Sequence, residues 1–169
     1  MKIILIILIG TLSLLLAIKY TMQCNYHHKA ISQCIMMFDN IEILLSYNVL
    51  STQNIFKLLS ENDKYNLLTF IKNISTNMES KNSDYVLSCE NQKYIYGNKY
   101  LKKEDKENLI NFFSLFGKSD LNGQIINCKT YKKIFKKRFE FIEVNDKKEC
   151  KSISTMILGI GFLVIILLF

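Results

Sequence analysis

Two uncharged apolar runs lie near the ends of the chain, at residues 3–18 and 153–169. A helix needs roughly 20 apolar residues to cross a bilayer, and about 17 is the lower limit. The first run reaches this length with interfacial neighbours, and the second just qualifies. The pattern predicts an anchor at residues 1–22, a soluble domain at 23–152 and a transmembrane helix at 153–169.

A cleaved signal peptide is the alternative for the first run, because Met1-Lys2 forms a short basic start. Cleavage sites favour small residues one and three places before the cut. Ala17 preceded by Leu15 fits this rule poorly, so an uncleaved anchor is favoured.

Two long helices are predicted at the ends of the soluble domain. Apolar residues at steps of three and four, a heptad spacing typical of coiled coils, predict a helix from Ala30 to Leu45. Its stripe comprises Ile31, Cys34, Phe38, Ile41 and Leu45. A second stripe comprises Leu121, Ile125, Cys128, Tyr131, Phe135, Phe139 and Ile142. Ser119 is the predicted N-cap of this second helix, with Asp120 in its first turn. We expect both helices to continue into the spans and to pack as antiparallel partners.

Shorter helices are predicted between these two. They are residues 53–60 with Ser51 or Thr52 as the cap, 63–74, Val86–Tyr94 capped by Ser83 and ending near Gly97, and 103–116 with Gly117 as the C-terminal cap. Residues 75–82 are polar and predict a loop. The chain has no Pro and 6 Gly, which disfavours a turn-rich β fold. The sequence therefore predicts an all-α bundle of about six helices between two transmembrane helices.

The charge distribution predicts the orientation in the membrane. The chain carries 22 Lys and Arg against 15 Asp and Glu. Basic residues flank the inner ends of both spans: Lys19, Lys29, Lys136, Lys137, Arg138, Lys147, Lys148 and Lys151. Only Lys2 lies outboard, so the positive-inside rule predicts a cytoplasmic domain with both termini outside. A basic face of this kind also suits an anionic lipid surface. Nucleic-acid binding is disfavoured, because acidic residues interleave with the dispersed lysines.

The five cysteines are Cys24, Cys34, Cys89, Cys128 and Cys150. An odd number at wide spacing is poor for a disulfide framework and suits a reducing compartment. Cys34 and Cys128 fall on apolar stripes and are predicted to be buried free thiols. Cys24, His27, His28 and Cys34 could be metal ligands, but their spacing matches no standard zinc pattern, so no metal site is predicted.

Other candidate chemistry is weak. Gly117-Lys118-Ser119 resembles the end of a phosphate-binding loop, but Phe112 replaces the first glycine and a predicted helix precedes it. Asn73-Ile74-Ser75 matches a glycosylation sequon inside a predicted helix. Glu42 is interpreted as a solvated rim residue or, alternatively, as a partner for a lysine on the last helix. We predict no catalytic residues, no cofactor and no enzyme activity.

Residues Phe112–Phe169 resemble the C-terminal half of the stage III sporulation protein AB family. The resemblance rests on Phe116-Gly117-Lys118-Ser119-Asp120 and Gln124, where the family has Leu-Gly-x-Ser-Asp-x-x-x-Gln, and on Gly159, Gly161 and Phe162 in the final span. In the first half, Ile41-Glu42-Ile43, Tyr47 and Leu50 resemble the family's Leu-Glu-x-Glu-Ile-x-Tyr segment. Residues 75–100 match nothing specific.

The resemblance implies a helical domain similar to the cytoplasmic domain of type II secretion and type IV pilus platform proteins. It implies a mother-cell membrane protein of the sporulation channel complex. The implied partners are the AA-component ATPase and other stage III sporulation membrane proteins, with an oligomer expected. Two other classes stay open: an extracytoplasmic protein with a C-terminal anchor, and a module that binds membrane surfaces or nucleic acid.

Overall fold

The computed structural model describes residues 2–47, 50–81 and 89–168. Every regular element in this part of the chain is helical, which confirms the all-α prediction. The elements are α1 (Lys2–Tyr47), α2 (Thr52–Ser60), a 3-10 turn (Asp63–Tyr65), α3 (Thr69–Lys81), α4 (Cys89–Tyr96), α5 (Lys103–Leu115), α6 (Leu121–Phe141), a π-helical segment (Ile142–Asp146) and α7 (Lys147–Leu168).

The chain divides into two compact units. The bundle unit comprises Lys29–Phe139, and the span unit combines the chain up to His28 with the chain from Glu140 onward. The first and last helical stretches are long and apolar enough to cross a membrane. Only 6% and 11% of their most apolar 18-residue stretches are buried, which suits contact with lipid better than a place in a soluble core.

Within the bundle unit, the long helices pair in antiparallel fashion, as predicted. The Phe38 and Phe135 rings lie 5.3 Å apart. All five residues of the predicted α1 stripe are buried. The α6 stripe is only partly buried, because Cys128 and Phe135 are enclosed whereas Leu121 is exposed. An aromatic core fills the space between the helices: Phe38, Phe56, Phe70, Phe112, Phe113 and Phe135 are fully buried.

The bounds of the shorter helices match the predicted bounds at some positions and differ at others. Ser51 caps α2, because its side chain accepts a hydrogen bond from the Asn54 amide at 3.4 Å. α3 continues to Lys81 through the segment predicted as a loop, because Ile71, Ile74 and Met78 form one buried stripe. α4 ends at Tyr96, next to Gly97, as predicted. Its predicted start at Ser83 and Val86 lies outside the described residues.

Within the span unit, the two apolar helices also run antiparallel. Thr21 contacts Ser154 at 3.5 Å. A Cβ atom placed on Gly161 would lie 2.5 Å from the Ser13 hydroxyl oxygen. The expected unbroken α-helix from the soluble domain into the second span is wrong, because residues 142–146 adopt the wider π pattern. Such a segment shifts the register of the side chains that follow it.

Candidate functional site

The turn between α5 and α6 carries most of the family-like residues, and its geometry depends on glycine. Gly117 has a φ angle of +80°, a conformation that side-chain-bearing residues rarely adopt. The Lys118 amide donates to the Leu115 carbonyl at 3.2 Å. A Cβ atom at Gly117 would lie 3.0 Å from the Thr52 hydroxyl oxygen. The turn therefore packs closely against the start of α2, and the positive φ angle is what favours glycine at position 117.

Asp120, and not Ser119, caps α6. The Asp120 carboxylate accepts a hydrogen bond from the Gly123 amide at 3.1 Å, and its carbonyl accepts from Gln124 at 3.0 Å. The prediction that Ser119 is the N-cap is therefore wrong by one residue. The Gln124 side chain donates to the Ser119 carbonyl at 3.0 Å. Ser119, Asp120 and Gln124 thus fix the shape of the turn and leave Lys118 exposed at its tip.

In the first family-like segment, on α1, Glu42 forms ion pairs and Tyr47 is exposed. Both Lys129 and Lys132 place their ammonium groups 3.7 Å from the Glu42 carboxylate. The interpretation of Glu42 as a solvated rim residue is therefore wrong, and its alternative as a partner for a lysine of the last helix is correct. Tyr47 is 83% exposed and takes no part in the core.

The electrostatics of this α1–α6 contact favour a charged lysine. Lys132 also pairs with Asp39. The hydrogen bond with Asp39, aided by the charges of Asp39 and Glu42, raises the pKa of Lys132 against a smaller opposing effect of desolvation. Lys132 thus holds two carboxylates of α1 at neutral pH. This contact serves to align the helices, and it contains no acid–base pair suited to proton transfer.

An exposed apolar groove adjoins the turn. It has a volume of about 370 Å³ and is lined by residues of α5, the turn and α6. Leu115 is 54% exposed and Ile126 is 64% exposed, which is high for aliphatic side chains. We call Leu115, Lys118 and Ile126 the turn surface. Adjoining exposed apolar side chains can form a docking surface, and a charge at its rim can add selectivity for a partner.

The cysteines are arranged differently from the sequence prediction. Cys24 and Cys150 form a disulfide in the span unit, with Cα atoms 6.6 Å apart. The expectation that the cysteines stay free is wrong for this pair. Cys34 and Cys128 are buried free thiols, as predicted. Burial raises the pKa of Cys34, and burial together with the Glu42 charge raises the pKa of Cys128 to about 12. Both thiols are therefore unreactive at neutral pH.

The remaining sequence candidates do not assemble into a site. Cys24 is held in the disulfide, and Cys34 is enclosed in the bundle unit. Among the described residues, no group of three or more His, Cys, Asp or Glu side chains is arranged to hold a metal ion. A helix, not a strand, precedes Gly117-Lys118-Ser119, so this segment lacks the context of a phosphate-binding loop.

The two glycines of the second span have different surroundings. Gly161 packs directly on Ser13 of the first span. Gly159 has open space where a side chain would stand. Gly161 therefore permits close approach of the two helices, and Gly159 is available to a neighbour outside the chain.

Sequence reasoning missed one buried ion pair. The Arg138 guanidinium lies 3.3 Å from the Asp105 carboxylate, which is 1% exposed, and 3.2 Å from Glu104. Asp105 also accepts a hydrogen bond from the Lys102 amide at 2.9 Å and so caps α5. The one arginine of the chain was the available signal, because arginine is favoured over lysine for buried pairs.

Comparison with known proteins assigns the chain to a family. Neither a curated protein nor a solved structure matches the chain. The family model of stage III sporulation protein AB matches residues 2–169, which include both span helices, the bundle unit and the turn. The chain therefore belongs to the stage III sporulation protein AB family and has a role in stage III of sporulation.

Proposed function

We propose that this protein is a non-catalytic, membrane-anchored scaffold of the sporulation channel complex and that it docks the cytosolic AA-component ATPase. Two apolar helices anchor the chain, and the bundle unit supplies the docking surfaces. In this proposal the bundle unit faces the mother-cell cytosol and both termini face outward. The scaffold contacts other stage III sporulation membrane proteins and forms an oligomer.

The observation that carries the proposal is that some residues hold the shape of the turn while others are exposed on its surface. Gly117 adopts the positive φ angle that the turn needs, and the side chains of Asp120 and Gln124 make hydrogen bonds that hold the turn in one shape. Lys118 is exposed at its tip, beside exposed Leu115 and Ile126. A rigid turn that presents apolar side chains and a cation is suited to recognise a partner, because little ordering is needed on binding.

Charge reversal at Lys118 tests the docking site. We expect Lys118→Glu to retain the helix content and a cooperative melt and to weaken capture of the AA-component ATPase by the full-length protein in detergent. Lys103→Glu is the matched control. The Lys103 side chain is also exposed, at 86%, but it lies at the opposite end of α5, where it pairs with Glu107 at 3.8 Å.

Two results would contradict parts of the proposal. Unchanged capture by Lys118→Glu, together with unchanged capture by Ile126→Asp, removes the turn surface from the interface. Absence of the ATPase from every wild-type capture removes the docking function itself. Loss with Lys103→Glu but not with Lys118→Glu would move the interface to the start of α5.

A second candidate function is favoured by the disulfide. Disulfides form and persist in oxidising compartments, so the Cys24–Cys150 bond suits an extracytoplasmic protein that is held by its C-terminal helix. A reporter enzyme that is active only in the cytosol, inserted near residue 85, distinguishes the two candidate functions. Cytosolic activity supports the scaffold with an inward bundle unit, and an inactive reporter supports the extracytoplasmic alternative.

A further inference from the structure

A polar pocket lies within the span unit, between α1 and the start of α7. Its volume is about 400 Å³. The polar side chains that line it are Thr21, Asn25, His28, Lys151, Ser154 and Thr155, and the Cys24–Cys150 disulfide forms part of its wall. None of the described residues that line this pocket is acidic. The lining is therefore rich in hydrogen-bond donors and carries a net positive charge.

Three of these side chains have donors available to a bound anion. Within the described residues, the Lys151 ammonium makes no ion pair and the Asn25 amide makes no hydrogen bond. The Ser154 and Thr21 hydroxyl oxygens lie 3.5 Å apart, which exceeds the usual length of an O–H···O hydrogen bond, so the Ser154 proton is available to donate. Thr21 and Thr155 already donate to backbone carbonyls at 3.0 and 2.9 Å. An ammonium, an amide and a hydroxyl that converge on one cavity suit a tetrahedral oxyanion.

The position of the pocket along the chain points to the source of that anion. Thr21 follows the apolar run 3–18 by three residues, and Ser154 stands at the start of the run 153–169. Because both runs are long enough to enter a bilayer, we expect the pocket to open near the level of the lipid phosphates. Basic pockets between membrane helices are known to hold anionic headgroups.

We propose that this pocket binds a phosphate group, supplied by an anionic lipid headgroup or by free phosphate, through Lys151, Ser154 and Asn25. The disulfide links α1 to α7 at the wall of the pocket and holds the two helices together before the ligand arrives. Such preorganisation lowers the ordering cost of binding. The bound headgroup would fix the depth of the span unit in the membrane. This site is independent of the proposed ATPase contact, because it uses other residues in another unit.

Binding to the full-length protein, kept oxidised in a zwitterionic detergent, tests the proposal. The probes are dihexanoyl phosphatidylglycerol, dihexanoyl phosphatidylcholine and inorganic phosphate, and the measurement is the dissociation constant. Loss of one charge-assisted hydrogen bond weakens affinity by about tenfold. We expect this loss for Lys151→Gln and for Ser154→Ala. Lys148→Gln is the matched control, because it removes the same charge from an exposed lysine of α7 that does not line the pocket.

The probes separate the two sources. Tight binding of phosphatidylglycerol with weak binding of inorganic phosphate supports a lipid site, and comparable binding of both supports a free-phosphate site. Equal binding of phosphatidylglycerol and phosphatidylcholine, abolished by Lys151→Gln, supports recognition of the phosphate alone. Equal losses in Lys148→Gln and Lys151→Gln would show a diffuse charge effect and overturn the proposal. Absence of binding by all three probes would also overturn it.

Discussion

A single residue decides where α6 begins, and the adjacent positions Ser119 and Asp120 give a matched test. The Asp120 carboxylate caps the helix, whereas the Ser119 hydroxyl makes no hydrogen bond within the described residues. Loss of a cap costs about 1 kcal/mol, which lowers the melting temperature of a domain of this size by roughly 2–8 °C. We expect this drop for Asp120→Ala and almost none for Ser119→Ala in thermal melts of the full-length protein. The reverse order would show that Ser119 is the cap.

The Arg138–Asp105 pair is the second prediction at this scale. Asp105 is almost completely buried, so removal of the guanidinium leaves a carboxylate without its main countercharge. Breaking a buried ion pair from one side costs about 3–5 kcal/mol. We expect Arg138→Gln to lower the free energy of unfolding by this amount, with a smaller loss for Arg138→Lys. Denaturant unfolding measures both. An Arg138→Gln protein as stable as Lys137→Gln would mean that the pair adds nothing.

At the scale of elements, the contact between α1 and α6 has the largest predicted effect. Phe135 is fully buried against Phe38. Truncation of a buried phenylalanine to alanine costs about 3–5 kcal/mol, against a total stability of about 5–15 kcal/mol. Phe135→Ala is expected to leave the bundle unit largely unfolded or prone to aggregation, as near-UV circular dichroism would show. Ile126→Ala, on the same helix but exposed, is the control and should melt like the wild type.

Hydrophobic periodicity predicted the long helices because their buried positions recur at regular steps. It failed for α3, because the single apolar residue Met78 is hidden among the polar residues 75–82 and continues the buried stripe by one turn. It also failed at residues 142–146, because a π segment changes the hydrogen-bond register without changing the composition. Helix ends set by one of two adjacent capping residues, as at Ser119 and Asp120, depend on backbone geometry that sequence spacing does not resolve.

For the whole molecule, the sequence predicted the family-like turn but not the contacts that define the candidate sites. The Cys24–Cys150 bond joins residues 126 positions apart, and only the antiparallel pairing of the span helices makes them neighbours. The same pairing creates the polar pocket from side chains that are dispersed in the sequence. The pairing of Glu42 with lysines of α6 depends on the register between α1 and α6. The apolar stripes alone leave this register open by one turn in either direction.

Orientation in the membrane is the last prediction, and charge and disulfide favour opposite answers. We expect the bundle unit to face the cytosol, because the basic residues cluster at the inner ends of both spans. The test introduces Lys57→Cys, at an exposed position of α2, into a Cys89→Ser background. Cys24 and Cys150 are bonded to each other and Cys34 and Cys128 are buried, so only the new thiol is reactive.

An impermeant maleimide should label this new thiol in right-side-out vesicles only after detergent is added. A cysteine appended after Phe169 is the control and should label without detergent. Labelling of Lys57→Cys in sealed vesicles would contradict the inward orientation. It would assign the bundle unit to the oxidising side of the membrane, where disulfides form and persist.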